Sequence, residues 1–88
     1  MLRPLLLTLS LLAATNAQAA ADCPIHPKAD WMSLDALRSR LKAEGYQIKI
    51  LKVDGDCYEL YGRDADGSKV EIYFDTVTGK PVKTHIEN

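Results

Sequence analysis

The stretch that most constrains the fold runs from Val70 to Val82 and reads VEIYFDTVTGKPV. Its apolar residues Val70, Ile72 and Phe74 alternate with other side chains, which is the period of a half-buried β-strand. The residues from Asp75 to Gly79 then supply turn chemistry, because an aspartate can bond the backbone two residues on and a glycine can adopt a positive φ. The stretch therefore predicts a strand, a tight turn and the start of another strand.

A helix is predicted upstream of this hairpin. Ser33 suits the N-cap position, and Leu34, Leu37 and Leu41 recur at helical spacing to give one apolar stripe. Gly45 is placed to end the helix at the position where a left-handed residue is favoured. The apolar stripe implies that the helix covers a hydrophobic surface.

The rest of the chain alternates with period two between turn signals, which predicts four strands over residues 46–53, 57–62, 68–74 and 81–86. The alternation fails in the first strand, so a β-bulge is expected near Ile50 to Lys52. These elements predict an α+β fold in which one N-terminal helix packs on one face of a four-stranded antiparallel sheet. The residues expected beneath the helix are Tyr46, Ile48, Ile50, Tyr58, Leu60, Val70, Ile72, Phe74, Val82 and Ile86.

Residues 1–19 have the layout of a secretory signal peptide, with a basic start, a short apolar run and small residues at its end. Cleavage after Ala19 is favoured and Ala21 is the alternative site; an uncleaved N-terminal anchor is the competing interpretation. No second hydrophobic segment follows, so no membrane span is expected after cleavage. The predicted organisation is a signal peptide at 1–19, an irregular arm at 20–30 and a domain at 31–88, in a periplasmic or secreted protein.

Two cysteines, Cys23 and Cys57, fall in the part predicted to be exported. A mature domain of about 70 residues has a small core and usually needs a covalent or metal staple. An exported pair of cysteines favours a disulfide, with free thiols or metal ligands as the alternatives. Cys57 shares strand parity with the outward residues Glu59 and Tyr61, so the arm would have to wrap the sheet edge to reach it.

Composition argues against several classes of function. The chain has 11 Lys and Arg against 12 Asp and Glu, without a basic patch, so nucleic acid is not an expected partner. It contains neither a Ser/His/Asp arrangement in a suggestive context nor a glycine-rich phosphate loop, so no catalytic residue and no cofactor is predicted. Glu59 and Glu71 could form a pair, but an open sheet face is expected to offer no pocket that perturbs them.

The outward sheet face is the candidate binding surface. Strand alternation places there Glu59, Tyr61, Glu71, Tyr73, Lys83 and His85. Tyrosines flanked by charges suit a polar-rimmed binding surface. The competing interpretation is an ordinary solvated face, in which cross-strand pairs add a little stability.

A metal site is the second functional alternative. Cys23 and His26 have a C-x-x-H spacing, and with His85 they could form a soft metal or haem-iron site. A disulfide together with surface histidines explains the same residues, because a bridged cysteine cannot act as a ligand. Counting free thiols discriminates between the two.

The order of elements resembles the PepSY domain over roughly residues 31–83. The residues that carry the resemblance are the Gly45-Tyr46 start of strand one, Cys57 to Leu60, and Asp66-Gly67 followed by Val70 to Lys80. Thr76 departs from the proline that many members have after the strand. The resemblance implies an exported α+β module without catalysis, which binds a peptide or envelope protein and restrains a protease. The alternative function is a periplasmic metal- or haem-handling accessory protein.

Overall fold

The computed structural model describes residues 21–87, so the predicted signal peptide at 1–19 lies outside the described residues. A 3₁₀ turn at Lys28–Asp30 precedes helix α1 (Leu34–Ala43) and strands β1 (Gln47–Asp54), β2 (Cys57–Arg63), β3 (Lys69–Asp75) and β4 (Pro81–Glu87). The strands form one antiparallel sheet in the order β1-β2-β3-β4, which confirms the α+β class. The helix is not N-terminal as predicted, because residues 21–33 precede it.

Helix α1 begins and ends where local chemistry predicts. The Ser33 hydroxyl accepts a hydrogen bond from the Ala36 N–H at 3.0 Å, which satisfies one of the free donors of the first turn. At the other end Gly45 has a φ of 99°, and the Tyr46 N–H donates to the Leu41 carbonyl at 3.0 Å. This closure turns the chain directly into β1.

The bulge in β1 lies between Ile48 and Ile50, earlier than the predicted position. It reverses the sides of the residues that follow, so that Leu51 is 8% exposed whereas Ile50, predicted to be in the core, is 43% exposed. Gly62 on the facing strand explains the position. A Cβ there would collide with the Gln47 carbonyl oxygen, so only glycine lets the two backbones approach this closely.

One hydrophobic cluster joins the helix to the sheet. Its buried members are Leu37, Leu41, Leu51, Tyr58, Leu60, Val70, Ile72 and Phe74, and Tyr46 and Ile48 pack partly buried against it. Val82 and Ile86, which were predicted to be in this core, are instead 41% and 53% exposed. The reason is the sheet order, since α1 contacts β1 and β4 is the opposite edge strand. We call the sheet side that carries Leu60 and Ile72 the inner face.

The arm before the helix connects the two sides of the sheet. A disulfide joins Cys23 to Cys57, as predicted, and both pack against Tyr73 on the side opposite the inner face. Further along, the Trp31 ring meets Tyr58 edge to face, with 5.4 Å between ring centroids. The arm therefore passes around the end of the sheet, which is the path that the outward parity of Cys57 requires.

Candidate functional site on the outer face

The outer face is the sheet side that carries Glu59, Tyr61, Glu71, Tyr73, Lys83 and His85. The strand register sets Glu59 opposite Tyr73 and sets Tyr61 opposite Glu71. On the other side of β3, Tyr73 lies opposite Lys83 and Glu71 lies opposite His85. Residues that are opposite each other on one face are in side-chain reach, so all six predicted residues lie on one continuous surface.

A hydrogen bond between Tyr73 and Glu71 organises the centre of this face. The Tyr73 hydroxyl donates to Glu71 Oε2 at 2.7 Å, and the Tyr73 side chain is only 3% exposed. Burial, followed by the acceptor carboxylates of Glu71 and Glu59, raises the pKa of Tyr73 far above its ordinary value. The hydrogen bond to Glu71 raises the pKa of Tyr61 as well, so both tyrosines remain neutral donors.

Glu59 lies next to this network, opposite Tyr73 in the strand register, and is only 2% exposed. Lys52 Nζ lies 3.8 Å from Glu59 Oε1, whereas Glu59 Oε2 is buried and, within residues 21–87, has no donor to accept from. Burial, and next the neighbouring Glu71 carboxyl, raises the pKa of Glu59. Hydrogen bonds from Glu59 and then from Tyr73 lower the pKa of Glu71. The folded protein therefore favours the protonated form of Glu59 and the ionised form of Glu71 more than an isolated glutamate would.

The expectation that the open face leaves Glu59 and Glu71 unperturbed is therefore wrong. Glu59 lies between Lys52 and Tyr73 in the register, and Tyr73 packs against the disulfide, so both residues are removed from solvent. Strand alternation predicts which face a residue is on, but it does not predict how far long neighbours cover that face. The outer face is a built polar network rather than a row of independently solvated side chains.

A second polar cluster lies at the arm end of β3. Asp75 Oδ1 accepts from the N–H groups of Val77 (2.8 Å) and Thr78 (3.0 Å), and Asp75 Oδ2 lies 3.2 Å from His26 Nε2. The Thr78 backbone hydrogen bond is the largest of the effects that hold the pKa of Asp75 at about 2. The Trp31 indole N–H donates to the His26 carbonyl at 3.0 Å, which holds the segment before the helix together, while His26 connects that segment to Asp75.

The structure does not bring the two histidines together. His26 pairs with Asp75, whereas His85 lies opposite Glu71, and four residues of strand, roughly 13 Å, separate those two acids. Cys23 is bridged and cannot act as a metal ligand. In the part of the chain that is described, no three His, Cys, Asp or Glu side chains are grouped to hold a metal ion. The state of the two thiols was expected to discriminate between the alternatives. Because both cysteines are bridged, the metal- or haem-handling alternative is weakened.

A cleft of about 510 Å³ opens at the other end of the outer face, where β1 bulges around Gly62. The residues that line it are Gln47, Ile48, Lys49, Tyr61, Gly62, Arg63, Lys69, Val70 and Glu87. Of these only Tyr61 was among the predicted site residues. Arg63 and Lys69 share strand parity with Tyr61, so following the alternation to the strand ends would have found them.

One helix followed by a four-stranded antiparallel sheet in chain order defines a small α+β domain, here with a polar network and a cleft on its outer face. The family model described as "Peptidase propeptide and YPEB domain", a PepSY model, matches residues 4–85. The chain therefore belongs to the PepSY family, which confirms the resemblance seen in its sequence. Members of this family are generally non-catalytic, protein-interacting modules, often propeptides, inhibitors or regulators.

Comparison with curated proteins and with solved structures finds no significant match. Within the described range, no helix has the length and apolar character needed to cross a membrane.

Proposed function

We propose that this protein is a small exported, non-catalytic module that binds a peptide or an envelope protein on its outer face and so restrains a protease. The observation that carries the proposal is the polar network of that face. Glu59 and Tyr73 are 2% and 3% exposed, and the Tyr73 hydroxyl donates a hydrogen bond to Glu71. A surface whose polar groups are already ordered loses less entropy when a partner binds.

The placement of the helix supports the same face. Leu37 and Leu41 share the buried cluster of the inner face. We therefore assign α1 as the cover of that face, which leaves the outer face as the broad sheet surface for a partner. Edge strand β4 borders this surface and is exposed along its whole length, so it extends the area that a partner can contact.

Site-specific crosslinking tests the face. A photo-crosslinking amino acid in place of Tyr61 is expected to capture an envelope partner, whereas the same group in place of exposed Ser39 on the helix is not. Tyr61 is chosen because it is half-buried at the cleft, whereas Tyr73 is too buried to change without disturbing the fold. Mass spectrometry of the product identifies the partner, and a protease is the expected class. Equal capture from both positions, or none from Tyr61, would contradict the assignment.

Export and processing form a separate part of the proposal. We place a cleaved signal peptide at 1–19, the arm at 20–30 and the domain at 31–88, in the periplasm or outside the cell. Protein recovered from that compartment is expected to begin at Ala20, or at Asp22 if cleavage follows Ala21. Mass measurement of the intact protein reads this directly. A protein that keeps Met1 and stays with the membrane fraction would show that the N-terminal segment is an anchor.

A further inference from the structure

The cleft beside Gly62 has a charge pattern that the polar network does not explain. Its lining includes three cations, Lys49, Arg63 and Lys69, against one carboxylate, Glu87, so the cleft has an excess of two positive charges. Within residues 21–87 neither lysine forms an ion pair. Both are exposed; Glu87 lies opposite Lys69 in the strand register, whereas Lys49, at the β1 bulge, has no residue opposite it in β2.

Two features give the cleft a fixed shape. The Arg63 guanidinium donates to the Gly67 carbonyl at 2.9 Å, which limits its freedom at the cleft edge. Tyr61 forms an aromatic wall beside it. Lys52 Nζ lies 5.9 Å from the Tyr61 ring centroid, which adds a fourth cation just outside the lining.

We propose that this cleft binds an acidic peptide segment through at least two of its carboxylates. The proposal names the ligand class for the outer face and so rests on the proposed function. The cations come from three neighbouring strands, a spread of roughly 10 Å at about 4.8 Å between strands. Carboxylates on alternate residues of an extended peptide recur about every 7 Å, so two of them can meet cations spread over roughly 10 Å, whereas one phosphate ion offers a single point of contact.

Titration of the purified, oxidised protein with a blocked peptide of alternating Glu and Ala tests the proposal. Amide shifts in the NMR spectrum are expected at Lys49, Gly62, Arg63 and Lys69, with an affinity that falls as salt is added. The double variant Lys49→Glu/Lys69→Glu should bind at least tenfold more weakly. The matched control Lys42→Glu/Lys80→Glu changes two exposed lysines outside the cleft and should alter affinity less than twofold.

Two further probes decide the chemistry. A blocked peptide of alternating Lys and Ala, and inorganic phosphate, should leave the cleft amides unshifted at the concentration that saturates the acidic peptide. Equal binding of either probe at these residues, or unchanged affinity in the Lys49→Glu/Lys69→Glu variant, would overturn the proposal. If the acidic peptide binds but Tyr61 crosslinks to no partner, the proposed partner function is refuted and the cleft remains a peptide site. If Tyr61 crosslinks to a partner but the acidic peptide does not bind, only the proposal for the cleft is overturned.

Discussion

Removing the disulfide is expected to lower the free energy of unfolding by about 3–4 kcal/mol, because the bridge closes a long loop in the unfolded chain. Cys23 and Cys57 are 34 residues apart in sequence, and cross-linking them restricts the unfolded ensemble more than the folded one. A small domain has a total stability of only about 5–15 kcal/mol, so a loss of this size is a large share. The midpoint of thermal unfolding should fall by on the order of 20 °C.

Chemical and thermal unfolding followed by circular dichroism measure this effect. The variants are Cys23→Ser/Cys57→Ser and Cys23→Ala/Cys57→Ala. The alanine pair is the matched control, because Cys57 is 1% exposed and a buried serine hydroxyl adds its own cost. Wild-type protein under reducing conditions should behave like the alanine pair. If oxidised and reduced wild type unfold at the same denaturant concentration, the bridge does not stabilise the domain.

The bridge also holds the arm on the outer face. Without it, Ala21 and Cys23 lose their anchor beside Tyr73, and we expect the arm to detach before the sheet unfolds. The Trp31 indole N–H, which donates to the His26 carbonyl, reports this step through its NMR resonance and its rate of hydrogen exchange. Exchange at Trp31 is expected to accelerate more than exchange in β2 and β3, whose protection falls only with the global free energy of unfolding.

The parts of the fold that depend on neighbouring residues were predictable from the sequence. The Ser33 cap and the Gly45 closure are set within a few residues of each helix end, so the helix bounds follow from local chemistry. Strand parity likewise placed Glu59 and Tyr73 on one face and required the arm to reach Cys57 from the outer side. These features need no knowledge of distant contacts.

The features that depend on contact between distant elements were not predictable in the same way. The position of the bulge depends on which backbone approaches Gly62, and the alternation of β1 alone gives two adjacent apolar candidates, Ile50 and Leu51. The exposure of Val82 and Ile86 depends on the sheet order, because α1 contacts β1 and β4 is the opposite edge strand. An interior strand glycine is itself a signal for a bulge, so Gly62 is the residue that could have located it.

The burial of the candidate site is the most consequential of these differences. The alternation of side chains along the strands predicted which residues lie on the outer face, but it implied that each of them is exposed to solvent. Glu59 is instead covered by its own neighbours, and the coverage of Tyr73 includes Ala21 and Cys23 from the arm, far away in sequence. Such coverage changes the chemistry of the face, because an acid removed from water holds its proton to higher pH.

Replacing Glu59 with glutamine is expected to stabilise the protein at pH 7, because the amide is neutral in both the folded and the unfolded state whereas folding raises the pKa of Glu59. The amide is neutral like the protonated acid, and it can still donate toward Glu71. In wild type the pKa of Glu59 is raised in the folded state, so the unfolded chain releases this proton first as pH rises above about 4.5. Wild-type stability should therefore fall with rising pH through that window.

Groups whose pKa is lowered in the folded state change the stability in the opposite sense: their contribution falls as the pH is lowered. Glu71, and Asp75 with its pKa of about 2, stabilise the folded state above their ordinary values and lose that contribution on acidification. Other charged or titratable groups near the pair are Lys52 and Asp54 from β1, Tyr61 from β2, Tyr73 from β3, and Lys83 and His85 from β4. Wild type should consequently be most stable in mildly acidic solution.

Denaturant unfolding at a series of pH values between 3 and 8 tests this behaviour. The stability advantage of Glu59→Gln over wild type should be largest at the alkaline end and should shrink toward pH 4.5. Asp56→Asn is the matched control, because it removes one negative charge from an exposed turn and should leave the pH profile unchanged. A wild-type stability that rises steadily from pH 5 to 8, with Glu59→Gln less stable throughout, would show that folding does not raise the pKa of Glu59.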